Sequence, residues 1–157
     1  MKIVELKNTK QDMKRADKLL CKLHKHHAKE RPQDFYPMDK YFENHKDYKQ
    51  YCDFHVIFVA VEDNKDVGIV TLGLERFGEN ALINPSISCL YVKKKYRKLG
   101  IGQKLLDRCL QYCEENLGED SSDYIDLGVW AFNENAIKLY EKNGYTVKML
   151  GMEKKFK

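Results

Sequence analysis

No run of apolar residues in this sequence approaches the roughly 18 that a membrane-spanning helix needs, and the opening Met1-Lys2-Ile3-Val4-Glu5-Leu6 is too short an apolar stretch for a secretory leader. A cytoplasmic protein with no membrane partner is expected. Five cysteines (Cys21, Cys52, Cys89, Cys109 and Cys113) make an odd number, and none is spaced as Cys-x-x-Cys. That spacing excludes a disulfide framework and predicts no metal centre; small buried thiols in a reducing compartment fit better. Repeats, low-complexity tracts and linkers are also missing, so residues 1–157 should form one domain, long enough to bury a core without staples. A general basic surplus is lacking too. The net charge is +4, from 28 Lys and Arg against 24 Asp and Glu. Residues 93–98 hold five of those positive charges; removing them from the 28 leaves 23 against 24, a net of −1. So local a patch points to one discrete anionic ligand and away from nucleic acid.

What is present centres on that patch. Leu90 and Val92 alternate as in a half-buried strand, and three lysines then end the pattern. From Ile101 the period becomes helical: Ile101, Leu105, Leu106, Cys109, Leu110 and Cys113 share one face, while Lys104, Asp107, Arg108, Gln111, Glu114 and Glu115 share the other. Gly100 and Gly102 fall where strand becomes helix, at the helix's free N–H groups and the positive end of its dipole. Such a turn can hold an anion.

Elsewhere, residues 2–7 read as a short strand, and Thr9 with Asp12 as a helix start leading to about residue 29. Pro32 and Pro37 bracket a loop, and a second helix is expected over residues 39–50. Residues 55–61, 67–75 and 81–92 are strands joined by short polar connections, which favours antiparallel hairpins. A helix over 101–117 then crosses to a strand over 124–130, giving a parallel pair. A last helix covers 135–143, stopped by Asn143-Gly144, and short strands at 145–149 and 152–156 finish the chain. The expected class is α/β: a mixed, mostly antiparallel sheet with one parallel strand-helix-strand unit and about four helices.

Two stretches in this order resemble the GNAT superfamily of N-acetyltransferases. Arg97-Lys98-Leu99-Gly100-Ile101-Gly102 is similar to the family's Arg/Gln-x-x-Gly-x-Gly/Ala signature for coenzyme A. Residues 133–145, from Asn133 through Ala136, Tyr140 and Gly144 to Tyr145, are similar to its Asn-x-x-Ala-x-x-x-Tyr-x-x-x-Gly-Phe/Tyr pattern. The resemblance implies a GNAT-like domain that moves acetyl from acetyl-CoA to a primary amine by direct transfer in a ternary complex. It implies that the pantetheine arm lies along Leu90, Tyr91 and Val92. The pyrophosphate would be held by the turn of Arg97, Lys98, Leu99, Gly100, Ile101, Gly102 and Gln103, and Asn133 would bond the pantetheine amide. Asn133 also suits a helix cap. Tyr140 would be the general acid that protonates the departing thiolate, as a phenol can, or else an aromatic packing residue.

The sequence departs from the family where many relatives carry an acidic residue, since Ser88, Cys89 and Leu90 stand there. Glu75 and Glu79 are substitute candidates for the base. The acceptor is expected near the run from His27 to Phe35, with Glu30 and Asp34 binding a cationic amine and Phe35 and Tyr36 walling its carbon chain. A small-molecule amine is the first expectation. A protein N-terminal or lysine acetyltransferase, or a catalytically weak coenzyme A-binding sensor, is the alternative. Short apolar C-terminal edges could pair two copies into a homodimer.

Overall fold

Central strands that are apolar on both faces must be covered on both faces, and this requirement sets the architecture. The structure, a computed structural model, describes residues 1–79 and 81–157. Its strands are β1 (Lys2–Glu5), β2 (His55–Glu62), β3 (Lys65–Arg76), β4 (Ile83–Val92) and β5 (Asp126–Leu127). Its helices are α1 (Lys10–Glu30), α2 (His45–Phe54), α3 (Ile101–Asn116) and α4 (Glu134–Lys142), with a 3-10 turn at Lys94–Tyr96. The strands form one sheet in chain order, β1 to β4 antiparallel and β4 to β5 parallel.

Along β2 and β3 the side chains alternate between two cores. Phe58, Val70 and Leu72 pack on one face with Ile101, Leu105, Leu106 and Cys109 of α3 and Tyr140 of α4. Ile57, Val59, Val61 and Ile69 pack on the other with Ala16, Leu19 and Leu20 of α1 and Tyr48 of α2. Losing a side chain such as fully buried Leu105 should cost about 2–5 kcal/mol. Among the described residues no helix is long and apolar enough to cross a membrane.

Local chemistry places the ends. Thr9 accepts the Asp12 N–H at 3.1 Å to start α1, and Asp12 reaches back to the Lys7 N–H at 2.9 Å. Asp63 and Asn64, with φ of 47° and 58°, make the tight turn between β2 and β3.

Three expectations need correction. The second helix begins at His45, because the Asn44 side chain accepts the N–H groups of Lys46 and Asp47 and so fixes the start there; it runs on to Phe54. The strand expected over 124–130 pairs only at Asp126 and Leu127, since the chain leaves β4 at Gly128. Residues 145–157 form no strand: β5 offers a two-residue edge, too short to template a pair, and Val147, Met149, Leu150, Met152 and Phe156 are exposed. Ion pairs hold this tail instead, Lys148 to Asp126 at 2.8 Å and Glu153 to Arg31 at 2.6 Å.

Candidate active site

The parting of β4 from β5 makes the site. The two strands pair at Ser86–Asp126 and Ile87–Leu127 and then separate. On its other side β4 stays paired with β3, but Thr71 lies opposite Cys89 while Leu72 lies opposite Ile87. Ser88 is therefore an extra residue, a bulge that bends the strand where the sheet opens. A cleft of about 290 Å³ fills the gap. Ile87, Ser88, Cys89 and Leu90 line one side and Gly128, Val129, Trp130, Asn133 and Tyr140 another, with Leu20, Leu23, His24 and His27 of α1, Phe35 and Tyr41 closing it.

Beyond the bulge, β4 has a free edge whose direction can be worked out. The Lys93 N–H donates to the Val67 carbonyl at 2.9 Å, so Lys93 faces β3, and by alternation Tyr91 does too. Leu90 and Val92 then turn their N–H and C=O groups away from β3, toward the open edge, and Leu90 lines the cleft. Arg97 agrees with this, its Nε donating to the Val92 carbonyl at 2.9 Å from the open side. The Arg97 guanidinium lies 5.8 Å from the Tyr91 ring, with its terminal nitrogens beyond that bond.

The turn after β4 has one property that the other helix starts lack. Side chains of Thr9, Asn44 and Asn133 cap α1, α2 and α4, whereas Gly100 caps α3 with no side-chain acceptor. The first bond inside α3 runs from the Lys104 N–H to the Gly100 carbonyl at 3.1 Å. The N–H groups of Ile101, Gly102 and Gln103 precede it and are left for an external anion. Gly100 is left-handed (φ +75°), and Lys98 shares that region at +63°. Gly102 lies close to α4: a Cβ there would sit 3.1 Å from Leu139 Cδ2, so a side chain would make the Leu139 methyl shift. Gln103 bridges to Asp107 and to Asn143 at the end of α4, clasping the two helices. Leu99 is exposed. Lys93 is pushed down by burial and by Lys22 and Lys18 of α1, so the basic surface is wider than residues 93–98.

Asn133 serves as a cap, its Oδ1 accepting the Ala136 N–H at 3.3 Å, and it also borders the cleft, with its amide nitrogen uncommitted by that bond. Tyr140 is 9% exposed, packs edge-on to Tyr145 at 5.7 Å and borders the cleft. Burial, with smaller effects from Tyr145 and Cys89, pushes its phenol up to about 12, so it stays protonated at neutral pH. Burial likewise raises the Cys89 thiol, which lies 3.9 Å from the Tyr41 hydroxyl. Cys89 is therefore a thiol and a poor nucleophile.

The other expected residues are dispersed. Glu75 is exposed on β3 opposite Asn84, and Glu79 is exposed beyond the strand; neither lines the cleft. Of Glu30, Asp34, Phe35 and Tyr36, only Phe35 lines it. Glu30 is exposed, Asp34 accepts from Arg31 Nε at 2.6 Å, and Tyr36 is 90% exposed with its carbonyl 2.6 Å from His24 Nε2. Sequence reasoning missed His24, His27, Tyr41 and Trp130. The first two had a signal: Leu20, Leu23, His24 and His27 continue one helical stripe, so the imidazoles extend the apolar face. Phe35 joins the stripe to the loop before α4, lying 5.4 Å from His27 and 5.7 Å from Trp130.

Comparison with known proteins agrees with this geometry. The family model for an acetyltransferase (GNAT) domain matches residues 53–147, more than half of the chain. N-alpha-acetyltransferase 50 of Danio rerio is 42% identical over 52 residues, 33% of this chain and 29% of that protein. An uncharacterized N-acetyltransferase in the pepI 3′ region of Lactobacillus delbrueckii subsp. lactis is 30% identical over 87 residues, 54% of this chain and 47% of that one. The chain thus matches less than half the length of these curated relatives. The solved structure of a tetramutant of the BH1408 protein from Bacillus halodurans superimposes with a TM-score of 0.83 at 23% identity, covering 99% of this chain and 100% of that one. By the extent of the family match, with the fold and the parted strands in agreement, the chain belongs to the GNAT acetyltransferase family.

Proposed function

We propose that this protein transfers acetyl from acetyl-CoA to a primary amine by direct attack within a ternary complex, and that the amine is a small molecule. The observations that carry the reading are a start of α3 that no side chain caps, placed directly after β4, and the edge of β4 at Leu90 that opens into a cleft bordered by Tyr140. Acetyl-CoA supplies an activated acetyl thioester. The N–H groups of Ile101, Gly102 and Gln103 bind its pyrophosphate, with Arg97 and Lys98 adding charge and Leu99 lying in the same turn. Leu90 and Val92 bond the pantetheine arm as a further strand would, Tyr91 lies between them, and the Leu90 N–H polarises the thioester carbonyl. Asn133 bonds a pantetheine amide through its free nitrogen. Tyr140 gives its proton to the departing sulfur.

A volume of about 290 Å³ and an aromatic lining support a small acceptor. The aromatic contacts of His24, His27, Phe35 and Trp130 cover the acceptor end of the cleft. A second reading, a protein N-terminus as acceptor, is favoured by the likeness to an N-alpha-acetyltransferase. Five unpaired thiols suit a reducing, cytoplasmic setting. Acetyl-CoA with polyamines, aminoglycosides, amino acids and peptides, followed by thiol release, tests the proposal. Release that depends on a small amine supports it; release only with peptides favours the second reading, and none with any amine contradicts both.

A further inference from the structure

We propose that His27 is the general base that takes a proton from the acceptor ammonium, a role that rests on the acetyl-transfer reading above. The titratable groups that line the cleft are His24, His27, Tyr41, Cys89 and Tyr140. An ammonium that must become a nucleophile needs an acceptor that is unprotonated at neutral pH and free to bond. Tyr140 carries the proton that the sulfur receives. Tyr41 and Cys89 face each other, and burial raises both, so both hold their protons. His24 donates through Nε2 to the Tyr36 carbonyl at 2.6 Å, which ties its ring to the loop and leaves only Nδ1.

His27 differs from all of these. Packing fixes its ring, with Phe35 at 5.4 Å, His26 at 6.1 Å and Phe132 at 6.3 Å, and no hydrogen bond occupies its nitrogens among the described residues. His26, Phe35 and Phe132 pack against its ring, and His24, Tyr41, Cys89 and Tyr140 share the cleft with it. The charged groups nearby are Arg31, over the Trp130 ring at 5.1 Å, and the Asp34 and Glu153 carboxylates that Arg31 pairs, so among the described residues no carboxylate is directed at the His27 imidazole. Burial first, then the charges of His26 and His24, moves His27 below its ordinary 6.5.

The step balances. An N–H bond of the ammonium breaks and its proton goes to a ring nitrogen of His27. The freed lone pair forms the C–N bond, the C–S bond breaks, and Tyr140 protonates the sulfur. The second proton lost by the amine nitrogen restores the Tyr140 phenol through solvent, and the His27 imidazolium releases its proton to water, leaving one proton per turnover.

The test compares wild type, His27→Gln and His27→Ala with acetyl-CoA and tyramine, spermidine, kanamycin and the dipeptide Met-Leu, using whichever amine the wild type acetylates fastest. The expected wild-type kcat/KM falls only as pH drops below 6.5. His27→Gln should lose about 10²-fold at pH 7, with its acidic limb displaced toward the amine's own pKa and the deficit shrinking at pH 10. Added imidazole should restore part of the His27→Ala rate. In ¹³C-labelled protein the His27 ring should titrate below 6.5. Unchanged kcat/KM and limb in His27→Gln, or a His27 ring protonated at pH 7, overturns the role alone. No turnover of any of the four amines by wild type overturns the transfer reading and this role with it.

Discussion

The two walls of the cleft are built in opposite ways. The wall of β4, continued by the turn into α3, acts through its backbone: a bulge at Ser88, an edge at Leu90 turned away from β3, and a start of α3 at Gly100 that no side chain caps. The wall of α1 and the loop after it acts through side chains from distant parts of the chain, as where Phe35 meets Trp130 at 5.7 Å. Backbone sites demand particular residues at fixed spacing and so write a motif. Side-chain sites demand only shape and chemistry at a point in space, and many sequences can meet that. The first wall should therefore set coenzyme affinity and the second acceptor choice.

Exchanging the proposed proton donor breaks the comparison most severely, since Tyr140 borders the cleft and acts through its side chain. Tyr140→Phe should keep acetyl-CoA binding, read by calorimetry, but lower kcat by at least ~10²-fold. The pH profile follows from the same group. A general acid must be protonated to act, and burial raises Tyr140 to about 12, so its ionisation should cause no fall in kcat between pH 7 and 10. An alkaline limb in that range that vanishes in Tyr140→Phe would contradict the raised value.

Next in size is an attack on the backbone wall. Gly100→Ala forces a side chain into φ +75°, at about 1–2 kcal/mol, and should weaken acetyl-CoA binding by roughly tenfold. The matching attack on the other wall is Phe35→Ala. It should raise KM for the amine several-fold, as loss of about 1 kcal/mol of aromatic packing predicts, with acetyl-CoA affinity unchanged. If each substitution moved both affinities equally, the division of labour would be wrong. The smallest effect is on stability: Asn133→Ala removes a cap at about 1 kcal/mol, seen as a Tm a few degrees lower.

The same contrast explains what could be read from the chain. The strand before Lys93, the glycines at 100 and 102 and the Asn133–Tyr140 spacing are local, so the order of elements from β1 to α4 and the strand-turn-helix unit were legible. Residues 39–44 were less so: their polarity suits helix or loop, and the decisive event is Asn44 bonding two N–H groups. The C-terminal strands failed because alternation in residues 145–156 specifies a strand only where an edge exists to receive it, and β5 pairs at two residues. Glu75 and Glu79 stand at and beyond the end of β3, where Glu75 pairs with Asn84, several residues along the sheet from Cys89 and Leu90. In the sequence His27 is only the start of the run to Phe35; the fold sets it beside Phe35 and Phe132.

Isothermal titration of acetyl-CoA into wild type and Gly100→Ala tests the central claim most directly. Binding of one equivalent to wild type, weakened roughly tenfold by the strained variant, is the predicted result. Absence of binding at high micromolar acetyl-CoA, or equal affinity in the two proteins, would contradict the assignment of the uncapped α3 start as the pyrophosphate site.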